Sequence, residues 1–349
     1  MQKVISKNWL SAAVAVLLIV APLNLFWQIP LGSAYMSGLR LDYLIPKLYV
    51  SWLVALIVAG LSLITNFTLP SKKAVYVWIT NNWPILLFGM IVLIRQVLTE
   101  RPESAVMHFI WLVTVAIMVR GLSVVGATRV GLALGSWISL CLQLLVGWWQ
   151  LIHQHSLTAY RWLGETNLSN WFGIAKGEWF GREITLPYGT TAHPNILANT
   201  LVILWWFTWL EVRHHLSKPT KNTTTKLLLT SWMIGTVLSI GLVVSTQSLT
   251  GILSAGLAAL LALTMSANTV IKKGLAQIIV WSSVAGVALI PIVMLLLQQL
   301  NFSFTQQLSW TRRVALFNHT LATLAQYLIF GTGLTQSTIY LSGAGGTSE

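Results

Sequence analysis

The residues of this chain best suited to chemistry are a few arginines, two histidines and one short segment, Pro187-Tyr188-Gly189-Thr190-Thr191-Ala192-His193-Pro194-Asn195-Ile196-Leu197-Ala198-Asn199. Pro194 suits the first position of a helix, where its missing N–H would have no partner in any case. His193 then stands near the N-cap, and Gly189 permits a turn just before it. A helix starting there presents free N–H groups and the positive end of its dipole, which together make an anion site. The alternative is that His193 and Asn195 do no more than satisfy the helix end. Arg95, Arg182, Arg312 and Arg313 carry planar guanidinium forks that grip phosphate or carboxylate through two bonds, which a lysine ammonium cannot do. Their alternative use is to snorkel at a membrane interface and pair with nearby acids. His193 and His319 are the in-chain candidates for a base acting on a hydroxyl. Asp42 is the single aspartate, so the chain lacks a carboxylate cluster for Mg²⁺. Its one cysteine, Cys141, lies in an apolar run and can form no CxxC pair or thiolate metal site. Cys141 reads as a small hydrophobe. No metal or other cofactor is expected.

The elements that must position these residues follow from composition. Of the 349 residues, 55% are apolar or aromatic and only 8% are Asp, Glu, Lys or Arg, against about 25% charged in a soluble domain. Eighteen tryptophans and a mean hydropathy of +0.73 agree. Such a chain cannot cover a water-facing surface, so an all-α polytopic membrane bundle is expected, and soluble enzymes and most nucleic-acid binders are excluded. Nine stretches approach the roughly 20 apolar residues of a membrane-crossing helix: about 9–27, 46–66, 76–97, 104–120, 128–152, 194–212, 226–246, 249–267 and 275–298. The chain thus divides into 1–152 with five spans, a loop at 153–193, 194–298 with four more spans, and 299–349. The loop carries Trp162, Trp171 and Trp179, too aromatic for a disordered linker, and reads as a piece packed on the membrane surface. In the last segment Val314, Phe317, Leu321, Leu324 and Leu328 outline an amphipathic helix that Gly331 and Gly333 stop.

Charge sets the orientation. With the N-terminus in the cytoplasm, the inner segments hold Lys3, Lys7, Lys72, Lys73, Arg120, Arg129, Arg213, Lys218, Lys221, Lys226, Lys272 and Lys273 against one acid, Glu211. The outer side holds Arg40, Lys47, Arg95, Arg101, Arg161, Lys176, Arg182, Arg312 and Arg313 against Asp42, Glu100, Glu103, Glu165, Glu178, Glu183 and Glu349. Short loops with the cationic excess belong in the cytoplasm. Most inner cations are lysine and most outer ones arginine. Lys47, Arg95, His108 and His193 sit near the outer boundary, and no Asp, Glu, Lys or Arg falls at a midplane. An ion-coupled transporter keeps relay charges there, between broken and repeated helices. The chemistry therefore belongs to the outer leaflet.

The segment Tyr188-Gly-Thr-x-x-His193-Pro194-Asn195-x-Leu-Ala before a membrane helix resembles the O-antigen ligase and O-antigen polymerase superfamily. A second stretch, Trp310-Thr-Arg312-Arg313-Val-Ala-Leu-Phe followed by Leu328-Ile-Phe-Gly-Thr-Gly-Leu, is similar to that family's SR-x-x-LW and following glycine region. A weaker third is Thr246-Gln-Ser-Leu-Thr-Gly-Ile-Leu253. Together they cover about 185–340 in the family's order. The resemblance implies a metal-independent, GT-C-like, inverting transferase in a bacterial cytoplasmic membrane. Its donor would be a polyprenyl-diphosphate-linked oligosaccharide and its acceptor a glycan or lipid hydroxyl. It further implies that Arg312 or Arg313 holds the donor diphosphate, with Arg182 or Arg95 the candidates for a further donor contact, and that Tyr188, Gly189, His193, Pro194 and Asn195 form the helix-terminus motif. The chain departs from the family at Leu249, where an arginine is usual, and lacks the later histidine motif. The expectation is a C-terminally truncated member whose base lies beyond Glu349. The competing readings are a lipid-glycan flippase or other transporter, and a non-catalytic envelope assembly protein.

Overall fold

The computed structural model describes residues 2–29, 35–36, 39–40, 47–66, scattered positions between 80 and 98, 102–124, 129–158, 162–168, 174–179, 182–216 and 223–266. Arg95, the expected span at 275–298, and the segment 299–349 with Arg312, Arg313 and His319 lie outside the described residues. The described elements are, in order, α1 (Gln2–Val20), β1 (Phe26–Gln28), β2 (Tyr35–Met36), β3 (Leu39–Arg40), β4 (Lys47–Tyr49), α2 (Val50–Asn66), α3 (Pro102–Val124), α4 (Arg129–His153), β5 (Lys176–Trp179), β6 (Arg182–Thr185), α5 (Pro194–Leu216), α6 (Thr223–Ser245) and α7 (Leu249–Ser266).

The architecture is mostly helical, but the expectation of an all-α chain is corrected by three two-stranded antiparallel pairs, β1–β4, β2–β3 and β5–β6. They occur where the chain leaves a helix, and pairing satisfies backbone groups that no helix serves there. Two helix ends move accordingly. The first apolar stretch runs to Trp27, yet α1 stops at Val20 because Pro22 cannot continue it. Lys47 does not open a helix: it lies on β4, paired with Gln28, and α2 begins at Val50.

Among the described residues three helices are long and apolar enough to cross a membrane, Arg129–His153, Pro194–Leu216 and Lys226–Ser245, with shorter apolar helices at Asn8–Val20, Val50–Ile64, Val106–Val119 and Leu249–Ala262. At ~1.5 Å per residue the three long ones measure roughly 30–37 Å, enough for the ~30 Å hydrocarbon layer. Their exteriors are apolar: Val130, Leu145 and Val237 are each more than three-fifths exposed, while Ser136, Gln143, Gln150 and Thr208 are fully buried. Apolar side chains outside and polar ones inside mark an integral membrane protein.

The described residues form two compact units, one built from 2–13 and 26–124, the other from 14–25 and 129–266. In the first, α2 packs along α3. Trp52 stacks on Trp111 at 5.1 Å and meets His108 edge-on at 6.0 Å. Tyr49 continues this ladder to Phe26, over which Lys47 Nζ sits at 4.6 Å, a cation–π contact typical of an interfacial aromatic belt.

In the second unit, Leu140, Leu144, Leu197, Leu201, Leu204 and Leu242 form the core of α4, α5 and α6. α4 and α5 run antiparallel: Arg129 donates to Glu211 at 2.9 Å near one end, and Gly189 abuts both Gln143 and Leu197 near the other. α5 and α7 run parallel. A Cβ on Gly251 would collide with the Ala198 methyl, and Arg213 donates to the Met265 carbonyl at 2.6 Å at the far end. Small residues are what allow membrane helices to approach this closely.

Candidate functional site

The helix starts at Pro194 and Leu249 lie at the same end of the second unit, and a buried polar network from α4 holds the chain that leads into the first of them. Gln143 and Gln150 are seven residues apart, so they share one face of α4, and both are fully buried. Gln150 Nε2 donates to Glu165 Oε1 at 2.9 Å and to the Gly189 carbonyl at 2.8 Å. Its Oε1 accepts from the N–H groups of Tyr188 at 2.9 Å and Gly189 at 2.8 Å. Gln143 does the same for the next residue: Nε2 donates to Thr190 Oγ1 at 2.6 Å and Oε1 accepts from Thr190 N at 3.1 Å. Gly189 has φ +58°, and a Cβ there would also press on Gln143 and Leu197. Only glycine suits both the left-handed backbone and the space.

Glu165 is buried as a carboxylate acceptor. Besides Gln150 it receives Leu157 N at 2.9 Å, Thr158 N at 2.5 Å and Thr158 Oγ1 at 2.6 Å. Four donors leave it a structural clamp between the α4 exit and the motif rather than a free base. Tyr188 is buried as well, and its hydroxyl accepts from Ala175 N at 2.8 Å. Burial pushes the phenol above its ordinary range, with the bond from Ala175 pulling weakly the other way.

His193 occupies the N-cap of α5. Its carbonyl accepts from Ile196 and Leu197 N–H, and its ring Nδ1 accepts from Asn195 N at 3.2 Å. In the neutral ring an accepting Nδ1 places the proton on Nε2. So arranged, the exposed imidazole offers an N–H donor, the reverse of what a general base needs. Thr191 Oγ1 accompanies it, shared between the carbonyls of Tyr188 at 2.8 Å and His193 at 3.0 Å. Asn195 is half-buried on the first turn.

At the neighbouring helix start, Ser248 caps α7: its Oγ accepts from Gly251 N at 3.1 Å. Leu249 is exposed beside it. Gln247, at φ +51°, donates to the Glu178 carbonyl at 3.0 Å and so ties the β5–β6 hairpin to the α6–α7 turn. That hairpin carries Arg182, exposed and paired across the strands with Trp179. Lys176 and Glu183 bridge it at 3.3 Å, an exposed pair worth ~0–1 kcal/mol.

The site thus brings together Tyr188, Gly189, His193, Pro194 and Asn195 as one capped helix entrance. Gln143, Gln150 and Glu165 were not anticipated from the sequence. Two glutamines seven apart in an apolar span were a usable signal, since polar groups in a membrane span require partners. Below the two helix starts, an apolar cavity of about 230 Å³ lies between α5, α6 and α7, lined among others by Leu201, Val243, Ile252 and Ala255. Cys141 faces out of the bundle. Compared with known proteins, the chain matches no family model, no curated protein and no solved structure.

Proposed function

We propose that this chain is a GT-C-like glycosyltransferase with about nine membrane spans, its N-terminus in the cytoplasm of a bacterium. It moves a glycan from polyprenyl diphosphate to an acceptor hydroxyl at the outer face of the cytoplasmic membrane, as O-antigen ligases and polymerases do. The observation that carries this reading is the motif Tyr188–Asn195 held as a rigid helix entrance beside a second helix start. Two adjacent dipole ends favour an anion, and the apolar cavity below them suits the hydrocarbon part of an amphiphilic donor.

In the transfer, the acceptor oxygen attacks the anomeric carbon, the bond to the diphosphate oxygen breaks with inversion, and the hydroxyl proton passes to a base. The leaving diphosphate gains charge, which Arg312 and Arg313, with Arg182 and Arg95, would offset through their forks. The His193 tautomer favours donation to that charge. The base role then falls on another residue, with His319 the in-chain candidate.

The test uses the complete protein, purified with a polyprenyl-diphosphate glycan and an acceptor, and measures transferred glycan. Replacing both Arg312 and Arg313 with Lys keeps the charge and loses the fork, and transfer should fall on the order of 10²-fold. Full activity in that variant removes the diphosphate clamp. Absence of transfer by the parent protein, with donor moved across vesicles, replaces the transferase by a flippase. Absence of both leaves the envelope assembly role.

A further inference from the structure

Ser136 and Ser139 on α4 are fully buried, and neither hydroxyl has a hydrogen-bond partner among the described residues. Hydroxyls on apolar helices ordinarily return their proton to a carbonyl three or four residues back. Five on α5 and α6 do so: Thr208 to Trp205, Ser231 to Leu228, Thr236 to Trp232, Ser239 to Gly235 and Ser245 to Gly241. An unserved buried hydroxyl costs ~1–3 kcal/mol, so two of them one turn apart call for a ligand.

Ser136, Ser139 and Gln143 fall at i, i+3 and i+7 and share one face of α4. Gln143 gives one amide N–H to Thr190 and its NH₂ has a second. α1 lies close against the same stretch of α4: a Cβ on Gly135 would meet the Ala15 carbonyl oxygen at 2.6 Å. A buried water needs about two to four polar partners and little room.

We propose that Ser136, Ser139 and the second N–H of Gln143 bind one or two internal water molecules between the helices of the second unit. The waters extend the polar network of Gln143, Gln150 and Glu165 past the middle of α4 into its N-terminal half, roughly 21 Å from Ser136 to Gln150 at 1.5 Å per residue.

The experiment reads the hydroxyls directly. In a Cys141→Ala background, Ser139→Cys places a thiol at the site, and its infrared S–H stretch is compared with that of Cys141 in the parent protein, which faces outward. A bound water shifts the Ser139→Cys band below the Cys141 band and exchanges its proton for deuterium in D₂O. Alongside it, Ser136→Ala and Ser139→Ala should each lower the melting temperature in detergent, because the water loses a partner. A band matching that of Cys141 overturns the proposal whatever the alanine variants do, as does a rise in melting temperature, which is the response of an unserved hydroxyl. If the alanine variants fail to fold, the thiol band alone decides.

Discussion

Gln150 uses both amide protons and both carbonyl lone pairs: three of its four bonds end on the backbone of Tyr188 and Gly189, and the fourth ends on Glu165 across from them. That saturation is why Tyr188 can be buried one residue before a left-handed glycine without leaving orphan N–H groups. Its phenol has its own pH consequence. Burial raises the folded pKa above the ordinary tyrosine value of about 10. Below that value both folded and unfolded chains keep the proton and the contribution is constant. As pH climbs above it, the unfolded chain ionises first, and stability is lost up to the folded pKa. Tyr188→Phe cannot ionise, but it strands Ala175 N–H at a cost of ~1–3 kcal/mol. The variant should therefore melt below the parent at neutral pH, and the gap should narrow from about pH 10 upward. Parallel melting curves across that range would contradict the burial account. At this scale the sequence made part of the site legible. Gly189 and Pro194 announce their roles by type alone, and the Gln143–Gln150 spacing marks a shared face. Glu165 could not be found this way, because its partners depend on how an irregular loop closes, and no periodicity encodes that.

The helix entrance is where element and chemistry are hardest to separate. His193 both caps α5 through Nδ1 and presents the imidazole edge. Two substitutions separate these roles. His193→Ala removes cap and imidazole together and should cost ~0.5–2 kcal/mol of stability. His193→Asn restores a strong N-cap and removes only the imidazole, so its melting temperature should stay near the parent's. If the imidazole assists glycan transfer, both variants lose activity. Activity retained in Asn but lost in Ala assigns His193 to the helix end alone. The helices themselves were readable because long apolar runs bounded by Pro194, or by Ser248 before Leu249, have one good solution in a membrane. α4 through α7 accordingly begin and end within a few residues of the apolar stretches, the largest offset being the last turn of α5 beyond residue 212. The strands were not readable. β1, β4, β5 and β6 are three or four residues long, too short for an alternation pattern, and β5–β6 is anchored by the tertiary bond from Gln247 to Glu178. The aromatic loop at 153–193 is expected to pack on the membrane surface, and its described part includes a hairpin tied to the α6–α7 turn.

For the whole molecule the governing quantity is where charge is allowed. Apolar side chains on the outside of α4, α5 and α6 suit these helices to a bilayer, and the proposed orientation puts the lysine-rich connections on the cytoplasmic side. The proposed chemistry depends on this choice, because a polyprenyl-linked donor at the outer leaflet is reachable only if the entrance of α5 faces outward. The segment after α5, with Lys218 and Lys221, must then face the cytoplasm, and the loop before it must face out. Single cysteines at Ser217 and Ser169, each in a Cys141→Ala background, test this with a membrane-impermeant maleimide on intact spheroplasts. Ser169→Cys should label without lysis and Ser217→Cys only after it. The opposite pattern would place the Tyr188–Asn195 entrance in the cytoplasm. It would end the outer-leaflet transferase reading while leaving the hydrogen-bonded architecture of the site intact, because that architecture rests on contacts within the second unit and not on which compartment it faces.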